Sequence, residues 1–294
     1  MDIRALQYFL AVIRLGTVGA AAEAHFVTQP AVSAQLKRLE GEVGERLFER
    51  RGRRLAPTAA GRLLAAHADD VVRRMGELEA AMQGLRGLET GTLRVGTIDA
   101  ASVYVLPEVY REFHARYPGI TVEIVVGDSR HLLDALRRGD VELATMTLPV
   151  DEPGLTVRRI YREELVPVAQ PGHPLARARR VALDDLCAAG LITYPDGATS
   201  RRLLEQVFAT HGAALRSRMD ISSPEAIRAL TEAGLGVSIL PRPVVAGALG
   251  RTLAELRLPP GVRFFRDIGV VRRDGAPQSP AGRAFLDLVE RAFQ

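Results

Sequence analysis

A chain of 294 residues, 47% hydrophobic and 25% charged, has the composition of a globular protein of two or three domains with real cores to bury. No apolar run approaches the length of about eighteen residues needed to cross a bilayer. MDIRALQYFLAV is too amphipathic for a signal peptide and lacks a small-residue cleavage site, so the cytoplasm is the expected compartment. The formal net charge of +4 is unevenly placed: residues 1–62 hold ten Lys/Arg against six Asp/Glu, and the remainder balances at twenty-nine of each. A basic end on a neutral body is the electrostatic footprint of phosphate contact.

Residues 2–14 carry Leu6, Phe9, Leu10 and Ile13 at helical spacing, which predicts a helix packing behind a helix pair. Residues 20–40 read as that pair, two short helices joined by a tight turn. Ala20, Ala21 and Ala22 open the packed part of the first, and His25, Phe26 and Val27 carry the turn. Thr28 is placed as N-cap of the second, where its hydroxyl can take an orphan backbone N–H. Pro30 falls in the first turn, where a missing N–H costs little. Val32, Leu36 and Leu39 recur at spacings of four and three and define an inward stripe. Gln29, Ser33 and Lys37 lie four apart on another face, with Gln35 and Arg38 beside them. Amides, a hydroxyl and cations can reach base edges and phosphates. An ordinary amphipathic helix with a solvated face shows the same pattern, and the continuation separates the two. Arg50, Arg51, Arg53 and Arg54 surround Gly52 directly after the helix pair, and Pro57-Thr58-Ala59-Ala60-Gly61 comes next.

Four strings in this region, LQYFLAV (6–12), TQPAVSAQLKRLE (28–40), GERLFERRGR (44–53) and LAPTAAG (55–61), resemble the winged helix-turn-helix of LysR-type transcriptional regulators. No one of them is forced by helix periodicity. The family usually has Leu where His25 stands and an aromatic where Val18 stands, which bears on local packing. The resemblance implies double-stranded DNA as partner. The residues expected to meet it are Thr28, Gln29, Pro30, Ala31, Ser33, Gln35, Lys37, Arg38, Arg50, Arg53 and Arg54, with residues 47–57 as the wing.

One long helix is predicted over residues 58–88. Leu64, Ala68, Val71, Met75, Leu78, Met82 and Leu85 alternate at four and three, with Arg73, Arg74, Glu77 and Glu79 off that seam. A single helix packed on its own domain rarely needs so strict a repeat. Self-association along Leu64, Val71, Met75, Leu78, Met82 and Leu85 is the expectation, and family members dimerise through this linker helix.

Residues 89–92 break the helix and mark a domain boundary. Strands are then expected at 93–98, 120–126, 141–146, 164–169, 191–194, 219–221, 237–240 and 268–271. Helices are expected at 105–117, 129–138, 183–188, 200–211, 224–233 and 281–293, the last capped by Ser279. The alternation argues for a mainly parallel α/β sheet. The strings LRVG (93–96), LPEVYREFHARYPGI (106–120), LRRGDVELA (136–144), PGHPLA (171–176) and AGLGVSILP (233–241) resemble the effector-binding part of the same family.

The implied architecture is α/β with an N-terminal winged helix-turn-helix over 1–61 and a linker and dimerisation helix over 58–88. An effector-binding domain over 91–294 comes after them, resembling a periplasmic binding protein. Its subdomain I covers about 91–163 and 267–294, and its subdomain II about 164–266. The chain would cross near 163–165 and return near 265–268.

Ligands of open α/β sheets sit beyond the carboxyl ends of strands, facing helix N-termini that favour anions. Small hydroxyl residues stand at those places, and Thr97, Ser102, Ser129, Thr147, Thr199, Ser200 and Ser223 are the candidate effector contacts. Simple helix capping also explains each of them, and their convergence on one cleft is implied by the resemblance alone. Partners expected from the family are double-stranded DNA, a small-molecule effector and further copies of the chain as a dimer or tetramer. RNA polymerase is a further candidate; no membrane and no cofactor are expected.

Cys187 is the only cysteine, so a disulfide within the chain is excluded and an ordinary buried thiol is expected. The six histidines show no ligand spacing, so no metal site is suggested. An enzyme is the first rival reading, but HExxH, GxSxG, GxxxxGK and a Gly-rich dinucleotide fingerprint are all missing, and Gly234-Leu235-Gly236 is too short to count. A solute receptor is the second. It sits poorly with the basic N-terminal segment.

Overall fold

The computed structural model describes residues 1–52, 54–84, 88–246 and 253–293. They form two compact units, Met1–Met82 and Gln83–Gln294.

In the first unit, α1 (Ile3–Leu15), α2 (Val18–Ala24) and α3 (Gln29–Val43) precede the antiparallel pair β1 (Phe48–Arg51) and β2 (Arg54–Pro57), then α4 (Ala59–Gly84). Their core is Leu6, Phe9, Leu10, Val12, Ala21, Val32, Leu36, Leu39, Leu47 and Ala68, as the inward stripe requires. The wing is fastened to the first turn of α4. Thr58 donates to the Arg46 carbonyl at 2.6 Å and accepts from the Gly61 N–H at 3.0 Å. Gly61 has no substitute here, since an added Cβ would stand 2.2 Å from the Leu47 carbonyl oxygen.

Two details of the helix pair differ from expectation. Thr28 is the N-cap of α3, but its hydroxyl caps nothing. The turn before it is a Schellman closure of α2: Val27 N–H reaches the Ala22 carbonyl at 3.0 Å and Phe26 N–H the Glu23 carbonyl at 3.1 Å. That closure places Phe26 at φ 53, the left-handed seat where glycine is usual. For a residue with a Cβ it costs roughly 1–2 kcal/mol.

His25, where the family has Leu, is half-buried against Tyr8 at 5.2 Å between ring centroids. Burial, helped by Arg14, holds its pKa below the ordinary 6.5. The folded state thus prefers the neutral ring. The contribution is fully present above about pH 6.5 and is lost as pH falls through that value toward the depressed folded pKa. Thermal melts should show the parent losing stability between pH 7 and 5, and His25→Leu should flatten that slope.

The second unit begins with β3 (Gly91–Thr97), α5 (Asp99–Tyr104), α6 (Pro107–Arg116), β4 (Ile120–Val126), α7 (Ser129–Arg138), β5 (Leu143–Thr147) and β6 (Leu155–Ala169). A short 3-10 turn at Pro174–Arg177 leads to α8 (Leu183–Ala188), β7 (Leu191–Thr193), α9 (Thr199–Thr210), β8 (Met219–Asp220), α10 (Pro224–Glu232), β9 (Val237–Pro241) and α11 (Arg242–Ala246). The chain finishes with β10 (Ala254–Glu255), β11 (Phe264–Arg273) and α12 (Pro280–Ala292), whose N-cap Ser279 accepts from Gly282 N–H as expected.

One sheet runs through the unit in the order β4-β3-β5-β11-β6-β9-β7-β8, with β10 beside β6. It is parallel at both ends (β4-β3-β5 and β9-β7-β8) and antiparallel through β5-β11-β6-β9. The expected mainly parallel sheet is therefore two parallel halves joined by two long strands, β6 and β11. The sequence marked only part of each strand, 164–169 and 268–271. The remainder is interrupted by Arg158, Arg159 and Arg162 in β6 and Arg266, Arg272 and Arg273 in β11, which mask the alternation. Each half has its own core, one around Leu93, Phe113, Leu136 and Phe285, the other around Val168, Ile192, Phe208 and Ile239.

A second difference lies after β3. A turn was expected before a helix at 105–117, but α5 occupies 99–104 and the next helix starts at Pro107. Ala100 on α5, expected in subdomain I, packs into the core of subdomain II.

Candidate functional site

Along α3 the outward stripe is laid out as its spacing requires. Thr28, Gln29, Pro30, Ala31, Ser33, Lys37 and Arg38 are exposed, and Pro30 sits in the first turn. Gln35 is the exception: it is half-buried beside the inward stripe, and its buried Oε1 has no hydrogen-bond partner. Arg38 is tied to Glu42 at 3.1 Å, and Glu42 also holds the N-terminal amine at 2.7 Å. In the wing Arg51 pairs with Glu49 at 3.0 Å. Arg50 and Arg54 are exposed and, like Lys37, form no ion pair among the described residues. The stem of Arg54 lies over Gly16, where an added Cβ would meet its Cδ at 3.4 Å. Arg53 lies outside the described residues. Uncompensated cations beside a polar helix face form a surface able to hold a polyanion.

On α4 the predicted seam divides. Ala68 is buried and Leu64 half-buried in the core of the first unit. Beyond them Val71, Met75, Leu78 and Met82 are 50%, 41%, 53% and 55% exposed. A row of large apolar side chains open to water is the kind of surface that interaction sites use. Leu85 lies outside the described residues.

The second candidate site lies between the two halves of the second unit. There the long strands carry a buried ion pair, with Arg266 on β11 bonded to Glu163 on β6, each side chain 3% exposed. Arg266 also donates to Ser200 Oγ at 3.3 Å. Burial works against the Arg266 charge, but Glu163 and neighbouring tyrosines restore it, so its pKa lies above the ordinary value. Beside the pair, Tyr194 is pushed up to about 12 by burial. Its hydroxyl and that of Thr193 are buried without a partner. α5 and α10 bridge the halves: Ser223 donates to Asp99 at 2.7 Å, Tyr104 to Glu225, and Arg228 to the Tyr104 hydroxyl at 3.2 Å.

The expected effector contacts therefore differ in availability. Thr97 is buried and accepts from Thr145 at 2.7 Å, and Ser102 is spent on the Asp99 carbonyl. Thr147 is buried and Ser129 half-buried. Ser223 stands at the N-cap of α10 without capping it, and neither Thr199 nor Ser200 is the cap of α9, whose N-cap is Ala198. Capping does not account for these three hydroxyls.

Arg130 at the head of α7 crosses to the other half, 3.7 Å from where a Cβ on Gly197 would stand. It forms no ion pair among the described residues. An unpaired guanidinium and the buried Arg266, itself paired with Glu163, thus flank the start of α9, which has no side-chain cap. Sequence reasoning missed Arg130, Glu163, Tyr194 and Arg266, since residues 103 apart give no local signal. A cavity of about 430 Å³ opens along the long strands between Leu148, Val150, Leu203, Phe265 and Arg266 itself, and none of the expected hydroxyls lines it.

Cys187 is half-buried, its thiol near the Ala214 carbonyl, rather than fully buried. Among the described residues no cluster of His, Cys, Asp and Glu could hold a metal ion. Among the described residues no single helix is long and apolar enough to cross a membrane.

Two family profiles cover the chain. Residues 3–62 match the bacterial regulatory helix-turn-helix protein, lysR family, and residues 86–294 match the LysR substrate binding domain. The HTH-type transcriptional activator CmpR of Synechocystis is 32% identical over 80% of this chain and 77% of its own. The RuBisCO operon transcriptional regulator of Allochromatium vinosum is 30% identical over 98% of this chain and 95% of its own. Full-length CbnR, solved as a complex with its target DNA, superposes with a TM-score of 0.69 at 26% identity, covering 99% of this chain and 100% of that one.

Proposed function

The chain belongs to the LysR family of bacterial regulatory helix-turn-helix proteins, and from that premise we propose that it binds its operator as a dimer or higher oligomer, under the control of a small anionic effector. Its relatives are transcriptional regulators, not enzymes. The helix-turn-helix is its DNA-binding part.

On this reading α3 enters the major groove and the dimer reads two half-sites about one helical turn apart, roughly 34–36 Å, or a multiple of it. Gln29 and Ser33 meet base edges, with Gln35 less well placed because it is half-buried. Lys37, Arg50, Arg53 and Arg54 hold phosphates, and Arg38 joins them only by leaving Glu42. Ser33→Ala should change which sequences are preferred. Arg50→Ala should weaken all of them and lower the slope of log affinity against log salt by about one unit. Equal behaviour of the two variants on selected and random duplexes would contradict this division of labour.

For the effector, the observation that carries the proposal is the start of α9. It begins at Ala198 without a side-chain cap, with Arg266 bonded to Ser200 on one side and Arg130 beside Gly197 on the other. A helix N-terminus and the Arg130 guanidinium favour a negative group, while the Arg266 charge is already met by Glu163. The ligand gains control only through different affinity for the two arrangements of the halves.

Thermal shift with inorganic phosphate and with small mono- and dicarboxylates tests the reading. At least one anion should stabilise the protein, and Arg130→Ala should weaken that anion by about tenfold or more, since a hydrogen bond to a charged partner contributes roughly 1.5–3 kcal/mol. Operator binding should survive. Stabilisation by neutral or cationic metabolites alone would overturn the anion. RNA polymerase is a further partner to probe by co-purification on the recovered operator.

A further inference from the structure

Phe26 combines two features that the free protein gains nothing from. Its backbone is left-handed at φ 53, held by the closure of α2 onto Ala22 and Glu23. Its side chain is 97% exposed, more than any other large hydrophobic among the described residues. Glycine or asparagine would fill that seat without strain, and a polar side chain would suit the water around it. A residue held against both preferences is explained by a partner met there.

The position indicates which partner. Phe26 stands two residues before Thr28, the N-cap of α3, beside the end of a recognition helix whose residues reach base edges. The residues after it include Gln29, Ser33 and Lys37, exposed and polar or cationic, with Pro30 and Ala31 small beside them, so Phe26 is the large apolar side chain amid groups suited to DNA. The apolar feature of the major groove is the C5-methyl of thymine, which phenylalanine can contact.

We propose that Phe26 is a DNA-contacting residue whose ring packs against a thymine methyl at the edge of the half-site read by α3. The proposal rests on the reading that α3 enters the major groove. It adds an apolar sequence determinant in the turn before the helix. On this account the strain in the turn is retained because it presents the ring.

The test uses the full-length protein and a duplex that it selects from a random-sequence pool. Phe26→Asn should melt at or above the parent's temperature, keep the parent's mass in light scattering, and bind the selected duplex about tenfold more weakly. Phe26→Gly should behave in the same way. Replacing thymines of the half-site by uracil, one at a time, removes only the methyl. One such replacement should weaken the parent and leave Phe26→Asn unaffected.

Parent-like binding by Phe26→Asn, or a parent indifferent to uracil at every position, would overturn the proposal. So would melting of both variants well below the parent, which would make the ring part of the fold, or a change in mass, which would place it in a protein interface. Ser33→Ala separates the two levels. If it shifts preference while Phe26→Asn is silent, only the Phe26 contact fails. If both are silent on selected and random DNA, the placement of α3 fails with it.

Discussion

Leu78→Glu should leave the chain folded and melting close to the parent while light scattering falls to the mass of a monomer. Leu78 is 53% exposed within its own chain, so a carboxylate there disturbs little of the chain's own packing. Against a partner helix the same carboxylate would enter an apolar seam with Val71, Met75 and Met82. Burying even an uncharged polar group without a partner costs roughly 2–7 kcal/mol, and a charge costs more. At about 1.4 kcal/mol per tenfold, the dimer weakens by well over tenfold. Met75→Glu should act in the same way. Ala68→Glu differs in kind, because Ala68 is buried within its own unit and its replacement should unfold that unit before it affects assembly. A parent-like mass for Leu78→Glu would remove α4 as the dimer interface.

Glu163→Gln should be among the most destabilising single changes in the second unit. It leaves Arg266 charged and buried opposite a neutral amide. Removing one partner of a buried pair costs about 3–5 kcal/mol, whereas replacing both by apolar residues of similar size is often neutral. For a domain of this length each kcal/mol moves the transition by about 2–4 °C, so a fall of roughly 6–20 °C is expected. The double change Glu163→Met with Arg266→Met should recover most of that loss. It should also weaken any anion held at the start of α9, because Ser200 loses its guanidinium partner. A parent-like melt for Glu163→Gln would mean that water reaches the pair.

How local each signal is decides which features the sequence made legible. Val32, Leu36 and Leu39 specify one face of α3 by spacing alone, and the structure buries all three. The exposed seam beyond Ala68 is legible for the same reason, because its repeat continues past the residues that its own domain can cover. β6 and β11 were legible only along their uninterrupted apolar runs. Elsewhere Arg158, Arg159 and Arg162 face water on β6 and Arg266 is buried in an ion pair on β11, and all of them hide a strand's alternation. α5 was missed because its Asp99-Ala100-Ala101 start lacks a strong cap, while Pro107 nearby marks the next helix start. The hydroxyls Thr199, Ser200 and Ser223 were singled out from their places at helix starts. Ser102 was found in the same way, yet it bonds within α5. Whether such a hydroxyl caps, bonds inward or stays available depends on neighbours more than sixty residues away, such as Arg266 for Ser200 and Asp99 for Ser223. The left-handed seat of Phe26 was hidden because a Phe gives no hint of it; a glycine there would have.

The central claim, a regulator that reads a defined operator through two copies of α3, is tested most directly by sequencing the genomic fragments that the purified full-length protein retains. The genes beside the retained fragments would show what the chain serves. The expected result is strong enrichment of one motif built from two related half-sites, spaced by about 10–10.5 base pairs or a multiple of it. Retention of fragments without a shared motif, in proportion to length and abolished by moderate salt, would reduce the basic N-terminal unit to a non-specific polyanion surface and contradict the claim.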